Sequence, residues 1–124
     1  MNLTSQKPSI QSISQILFEV EIQIHILHLN SKSYSAHQAL GKFYKSLGDL
    51  NDDLVEKSFS KVGLLKGYGT ISIDNEVDAL SYIKSKMLLI EKHREKVTTP
   101  FIQQMVDNVL ETFSHVIFKL ENLK

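Results

Sequence analysis

Apolar residues return every three or four positions through four long stretches of this chain, the spacing of helices with one face turned to a core. Ile10, Ile13, Leu17, Val20, Ile24 and Leu27 form the first line and predict a helix over residues 9–30, with Ser9 as a side chain able to cap it. Phe18, Ile22, Ile26 and Leu29 form a second line on the same helix, nearly opposite the first at about 100° per residue. A helix apolar on two faces is covered on two sides. A second copy of the chain is the expected cover, and a long loop folded over the helix is the alternative.

Asn30 to Lys32 reads as a tight turn, with Ser33 capping a second helix over residues 34–61. Its core line is Ala36, Leu40, Phe43, Leu47, Leu50 and Leu54. Beside that line run His37, Gly41, Tyr44, Gly48, Val55 and Phe59. Glycine inside a helix costs about 1 kcal/mol against alanine, so two on one line invite close approach by another backbone. Three of the five glycines fall in the long connection from Lys61 to Asn75, where Thr70 to Ile73 is too short to count as a strand. Asp74 or Asn75 then caps a third helix over residues 76–97, with Val77, Leu80, Ile83, Met87 and Ile90 inward. Thr99-Pro100 opens a fourth over residues 100–122, with Phe101, Met105, Val109, Phe113, Val116 and Leu120 inward.

Two short turns flanking one long connection predict an all-α fold in a single domain spanning residues 1–124. It is a four-helix bundle with the long B–C crossover of a ferritin-like, up-up-down-down arrangement. Composition narrows the function classes. Lysine plus arginine number 14 and so do aspartate plus glutamate, with no basic arm, so DNA binding through phosphate neutralisation is disfavoured. The absence of cysteine removes disulfides, thiolate metal sites and cysteine nucleophiles. No run approaches the length of a membrane span and no signal peptide opens the chain, so a cytoplasmic protein without a membrane partner is expected.

The clustered metal-ligand types are His28, His37, Asp52 and Glu56. The histidines flank the first helix corner, with Glu21 two turns before His28 on nearly the same bearing. Asp52 and Glu56 share a face of the second helix, being four residues apart. Imidazole and carboxylate together suit iron and similar divalent metals, and bundles build such sites from neighbouring helices. His37 and Asp52 are separated by roughly 22 Å of helix at 1.5 Å per residue, so one subunit cannot bring both to one ion. An antiparallel partner across a two-fold axis would, with the second apolar line and the glycine line as the pairing surface.

On these residues the chain resembles the Dps family, small ferritin-like proteins that protect DNA during starvation. His28-Leu29-Asn30 and Lys32 match the family's opening motif, His37 its second histidine, and Asp52 and Glu56 its acids at the family spacing. The stretch from about Thr99 is similar to the family's last helix. The resemblance implies an intersubunit ferroxidase site, iron oxidised by peroxide or oxygen, and a homo-oligomer ranging from a dimer up to a dodecameric cage. The pattern departs from the family at four points. The gap between the histidines is three residues short, though His25 restores it. Gly41 stands where the family has an aspartate, Leu29 where it has an aromatic residue, and the basic N-terminal arm is missing. The compact form is also similar to small ferritin-like proteins encoded by bacteriophages.

Other sets carry less. Asp107, Glu111 and His115 lie opposite the apolar line of the fourth helix and read as solvent-facing. Glu91, His93 and Glu95 share no face, and Tyr34 and Tyr44 read as packing residues near the cluster. No phosphate loop or nucleophile arrangement is present. Two functions follow: a Dps-like ferroxidase, or a non-catalytic helical-bundle module that has lost its metal.

Overall fold

A computed structural model describes residues 3–123 of the chain. After a 3-10 turn at Leu3–Gln6, four helices follow: α1 (Lys7–Asn30), α2 (Tyr34–Val62), α3 (Ala79–Arg94) and α4 (Pro100–Asn122). No strand occurs among the described residues, and none of their helices is long and apolar enough to cross a membrane.

Local chemistry sets the boundaries. α1 begins two residues before the expected Ser9, because Pro8 sits in the first turn, where its missing N–H is no loss. Ser9 is buried instead of capping. Ser33 does cap α2, its hydroxyl accepting the Ala36 N–H at 3.2 Å. Gly63 ends α2 at φ 75°, a conformation that favours glycine. The third helix starts later than the sequence predicts. Asp74 spends its carboxylate on a local turn, accepting the Glu76 N–H at 2.8 Å, and Asp78 caps α3 by accepting the Ser81 N–H. Its far end also stops short, at Arg94, and Val97 is buried in the connection to α4. Thr99 precedes Pro100 as expected, but its hydroxyl accepts from the fully buried Gln6 rather than capping α4. The side-chain amide oxygen of Gln6 in turn accepts the Thr98 and Thr99 N–H groups, which ties the start of α1 to the start of α4.

The long connection is a strap laid along α1. Gln11, Gln15, Glu19 and Gln23 stand one turn apart on α1, and their side chains accept the N–H groups of Gly67, Gly69, Ser72 and Asp74 in turn. Gln15 and Gln23 also donate to the Thr70 and Asp74 carbonyls. The strap therefore runs parallel to α1 and delivers the chain to its far end. There α3 begins and runs back, with Lys86 paired to Glu19 at 2.7 Å. Burial works to raise the Glu19 pKa, but the bonds from Lys86 and Ser72 outweigh it and hold the acid below its ordinary value. α1 and α4 each pack on both α2 and α3 and lie diagonally opposite one another. The directions are thus up, down, down, up, with the crossover joining parallel helices. The up-up-down-down order expected from the sequence does not fit a turn as short as Ser31 to Ser33, which forces α1 and α2 antiparallel.

The core follows the periodicity closely in α1 and α2 and only in part in α3, where Val77 lies before the helix and Leu80 and Met87 are half-buried. Ile10, Ile13, Leu17, Val20 and Ile24 of α1 meet Leu40, Phe43, Leu47 and Leu54 of α2, Ile83 and Ile90 of α3, and Val109, Phe113 and Val116 of α4. Phe43 and Phe113 meet edge to face with centroids 5.0 Å apart, an arrangement worth about 0.5–1.5 kcal/mol beyond its area. The first turns of α4 are phased one residue off the expectation. Ile102 and Val106 are fully buried, while Phe101 is 43% exposed. The second apolar line of α1 is partly covered by its own chain, since Phe18 packs edge-on against Tyr68 of the strap. Ile22 and Leu29 remain 42% and 65% exposed.

Candidate functional site

The antiparallel packing of α1 on α2 sets three residue pairs one turn apart. His28 lies over Gly41, His25 stacks on Tyr44 with centroids 4.2 Å apart, and Glu21 lies over Gly48. The space above the two glycines, expected to admit a partner's backbone, is filled by side chains of their own α1. A Cβ at Gly41 would stand 2.7 Å from Cε1 of His28, and one at Gly48 would stand 3.2 Å from Oε2 of Glu21. Gly41 is thus the floor on which the His28 ring rests.

At the corner itself, His28 and His37 hold each other. Nδ1 of His28 lies 2.6 Å from the His37 carbonyl oxygen, and Nδ1 of His37 lies 2.8 Å from the His28 carbonyl oxygen. A carbonyl only accepts, so each Nδ1 carries its proton and donates. The rings stack at 3.8 Å with an 18° tilt. With each Nδ1 committed to a carbonyl, each neutral ring has its Nε2 lone pair free of that bond. Fixing one ring nitrogen by a backbone carbonyl is how metal-ligating histidines are commonly oriented. Both side chains are half-buried, and Tyr44 packs obliquely against His28, centroids 5.4 Å apart.

The acids sit elsewhere. Asp52 and Glu56 are exposed on α2, further from the corner, as the helical rise requires. Asp52 acts on Glu21: burial first, then the charge of Asp52, raise the Glu21 pKa, and the nearby His25 partly offsets them. The four expected ligands therefore fall into two places, the histidine pair at the corner and the acids down α2. Among the described residues, no group of three or more His, Cys, Asp or Glu side chains could hold a metal ion within one chain. Of the other sets, Asp107 is held by Arg94 in a two-pronged ion pair. Glu111 and His115 are exposed, and His93 is half-buried with its pKa lowered by burial and by Lys92 and Lys96.

Sequence reasoning missed the glutamine ladder and Gln6. The signal for the ladder was present as amide or carboxylate side chains at positions 11, 15, 19 and 23, a polar line at helical spacing. It was overlooked because polar lines on helices usually face water. Nothing local marks Gln6, whose partners lie more than ninety residues away.

Residues 28–120 match the sequence model of a family described as Family of unknown function (DUF5856), a span that contains His28, His37, Asp52 and Glu56. No curated protein and no solved structure matches the chain. The match covers most of the sequence, and the chain belongs to that family.

Proposed function

We propose that the protein is a cytoplasmic, ferritin-like homo-oligomer of the Dps type that oxidises ferrous iron at sites shared between subunits. In this reading His28 and His37 of one copy, with Asp52 and Glu56 of another, receive Fe(II) as substrate. The observation that supports it is the reciprocal pairing of the histidines, which engages each Nδ1 with a carbonyl and leaves each Nε2 outside that bond. Two further features support it. Mixed imidazole and carboxylate donors suit iron. The bundle also has the single long crossover joining parallel helices that ferritin-like folds use. Two Fe(II) each lose one electron to a peroxide molecule, whose O–O bond breaks as two protons are taken up and two waters leave.

The charge layout favours a two-fold partner. His25, His28, Lys32 and His37 lie at one end of the α1–α2 face, and Glu21, Asp49, Asp52 and Glu56 lie toward the other. Turned over on itself, that face sets imidazoles against acids. The exposed Ile22 and Leu29 give it apolar area to bury.

Ferrous oxidation by the wild type is compared with His37→Ala, with Asp52→Ala, and with an equimolar mixture of the two refolded together. Each variant alone loses the activity. The mixture recovers part of it, because half the sites of a mixed dimer are intact. Equal rates in all samples overturn the proposal. A second reading, a metal-free interaction module, draws on the same histidine pair acting only as a latch for the α1–α2 turn, with Gly41 making room for it. That reading predicts that His37→Ala lowers the melting temperature while added metal leaves the wild type unmoved.

A further inference from the structure

On the flank of α2 away from the histidine corner, a cleft of about 290 Å³ opens between α2 and α4. Its floor is apolar and buried, made by Ala39, Phe43 and Val116. Its rim carries Lys42, Lys119 and His115. Such a volume lies at the small end of ligand pockets, which pair an apolar lining with a few polar groups that fix orientation.

We propose that this cleft binds a small amphiphilic monoanion, a carboxylate on a short hydrocarbon or single aromatic ring. The tail lies on Phe43 and Val116, and the carboxylate meets the ammonium groups of Lys42 and Lys119, with an N–H of His115 in reach. Charge selects the class. The lining carries two lysines and one carboxylate, Glu111, so a single negative charge balances the rim while a dianionic phosphate brings one negative charge too many beside Glu111. No ion pair engages Lys42, Lys119 or Glu111 among the described residues, so the cations need not be released first.

The hydroxyls in the lining point to the same donors. Ser46 donates to the Lys42 carbonyl at 3.0 Å, and Thr112 donates to the Asn108 carbonyl at 3.1 Å. Both hydroxyl protons are spent on their own helices, which leaves the lysines and the imidazole to hold an anion. The site stands apart from the histidine corner and does not depend on iron.

The test is an NMR titration of the full-length, isotope-labelled protein with hexanoate, with hexanol and hexylammonium as probes of equal chain length. Hexanoate shifts the signals of Ala39, Phe43 and Val116 saturably in the millimolar range or tighter, and the other two bind at least tenfold more weakly. Lys42→Glu and Lys119→Glu each weaken hexanoate at least tenfold. Lys45→Glu, an exposed α2 charge outside the cleft, changes it less than twofold. Absence of saturable shifts at these residues, equal binding of hexanol, or equal effects of all three lysine variants each overturn the proposal.

Discussion

Two glycines on one helix should respond to alanine with opposite signs. Gly41 and Gly48 both lie within α2, where alanine gains roughly 0.5–1 kcal/mol over glycine from backbone entropy alone. At Gly48 the new Cβ meets Oε2 of Glu21 at 3.2 Å, the far end of a flexible side chain that swings aside at little cost. Gly48→Ala should therefore stabilise the protein by about 0.5 kcal/mol or more. At Gly41 the Cβ meets Cε1 and Nδ1 of His28 at 2.7 and 3.0 Å, atoms of a short side chain clamped between a hydrogen bond and a stacked ring. Moving that ring forfeits the bond to the His37 carbonyl, worth about 1 kcal/mol. It also forces the side chain off its rotamer, at about 0.5–1.5 kcal/mol. Against the helical gain, Gly41→Ala should destabilise by about 1 kcal/mol, a few degrees of melting temperature. Urea unfolding followed by circular dichroism measures both variants. Long-range nitrogen NMR of the imidazoles should show His28 losing its fixed Nδ1–H tautomer in Gly41→Ala only. In the double variant His28→Ala/Gly41→Ala, alanine at 41 becomes favourable again. A Gly41→Ala protein at least as stable as the wild type, with the His28 tautomer unchanged, would refute the reasoning.

Three further outcomes follow from the same geometry. Glu21 has its folded pKa raised by burial and by Asp52, so the fold favours the protonated acid. Stability is then lost as pH rises from the ordinary glutamate range through the raised value, and Glu21→Gln should melt higher than wild type at pH 7, the gap closing below pH ~4. Ser33→Ala removes the cap of α2 and should cost about 1 kcal/mol in urea unfolding. Gln23→Ala deletes a fully buried amide that binds both backbone groups of Asp74 and should cost about 2 kcal/mol, with faster hydrogen exchange at Asp74 before any change at Leu47.

Four helices were legible because each carries its own apolar period, which picks out the buried Ile10, Ile13, Leu17, Val20 and Ile24 of α1 and Leu40, Phe43, Leu47 and Leu54 of α2, although Leu27, Ala36 and Leu50 of the same lines are only partly buried. Boundaries were legible where a cap acts within its own turn, as at Ser33. The start of the third helix failed because Asp74 spends its side chain on a turn, while the start of α4 held at Thr99 and Pro100 even though the Thr99 hydroxyl binds Gln6. The phase slip at Phe101 arose because Phe101 and Ile102 are both apolar, and only packing chooses between them. At the site, the adjacency of His28 and His37 followed from a short turn joining antiparallel helices. Their carbonyl latches and the filling of Gly41 did not, because spacing along a helix says nothing of which neighbour occupies a groove. The direction of the third helix needed the strap, a contact between residues more than fifty positions apart.

Connections between helices commonly absorb insertions and deletions, yet here the longest one has lost that freedom. Four residues of α1 advance about 6 Å, and two extended residues advance about 6.6 Å, so side chains four apart meet every second or third residue of the strap. One added residue between Gly67 and Asp74 would put every later amide out of step with its acceptor. The segment that resembles a tether works as a ruler, and its length should prove harder to alter than that of the exposed end of α4.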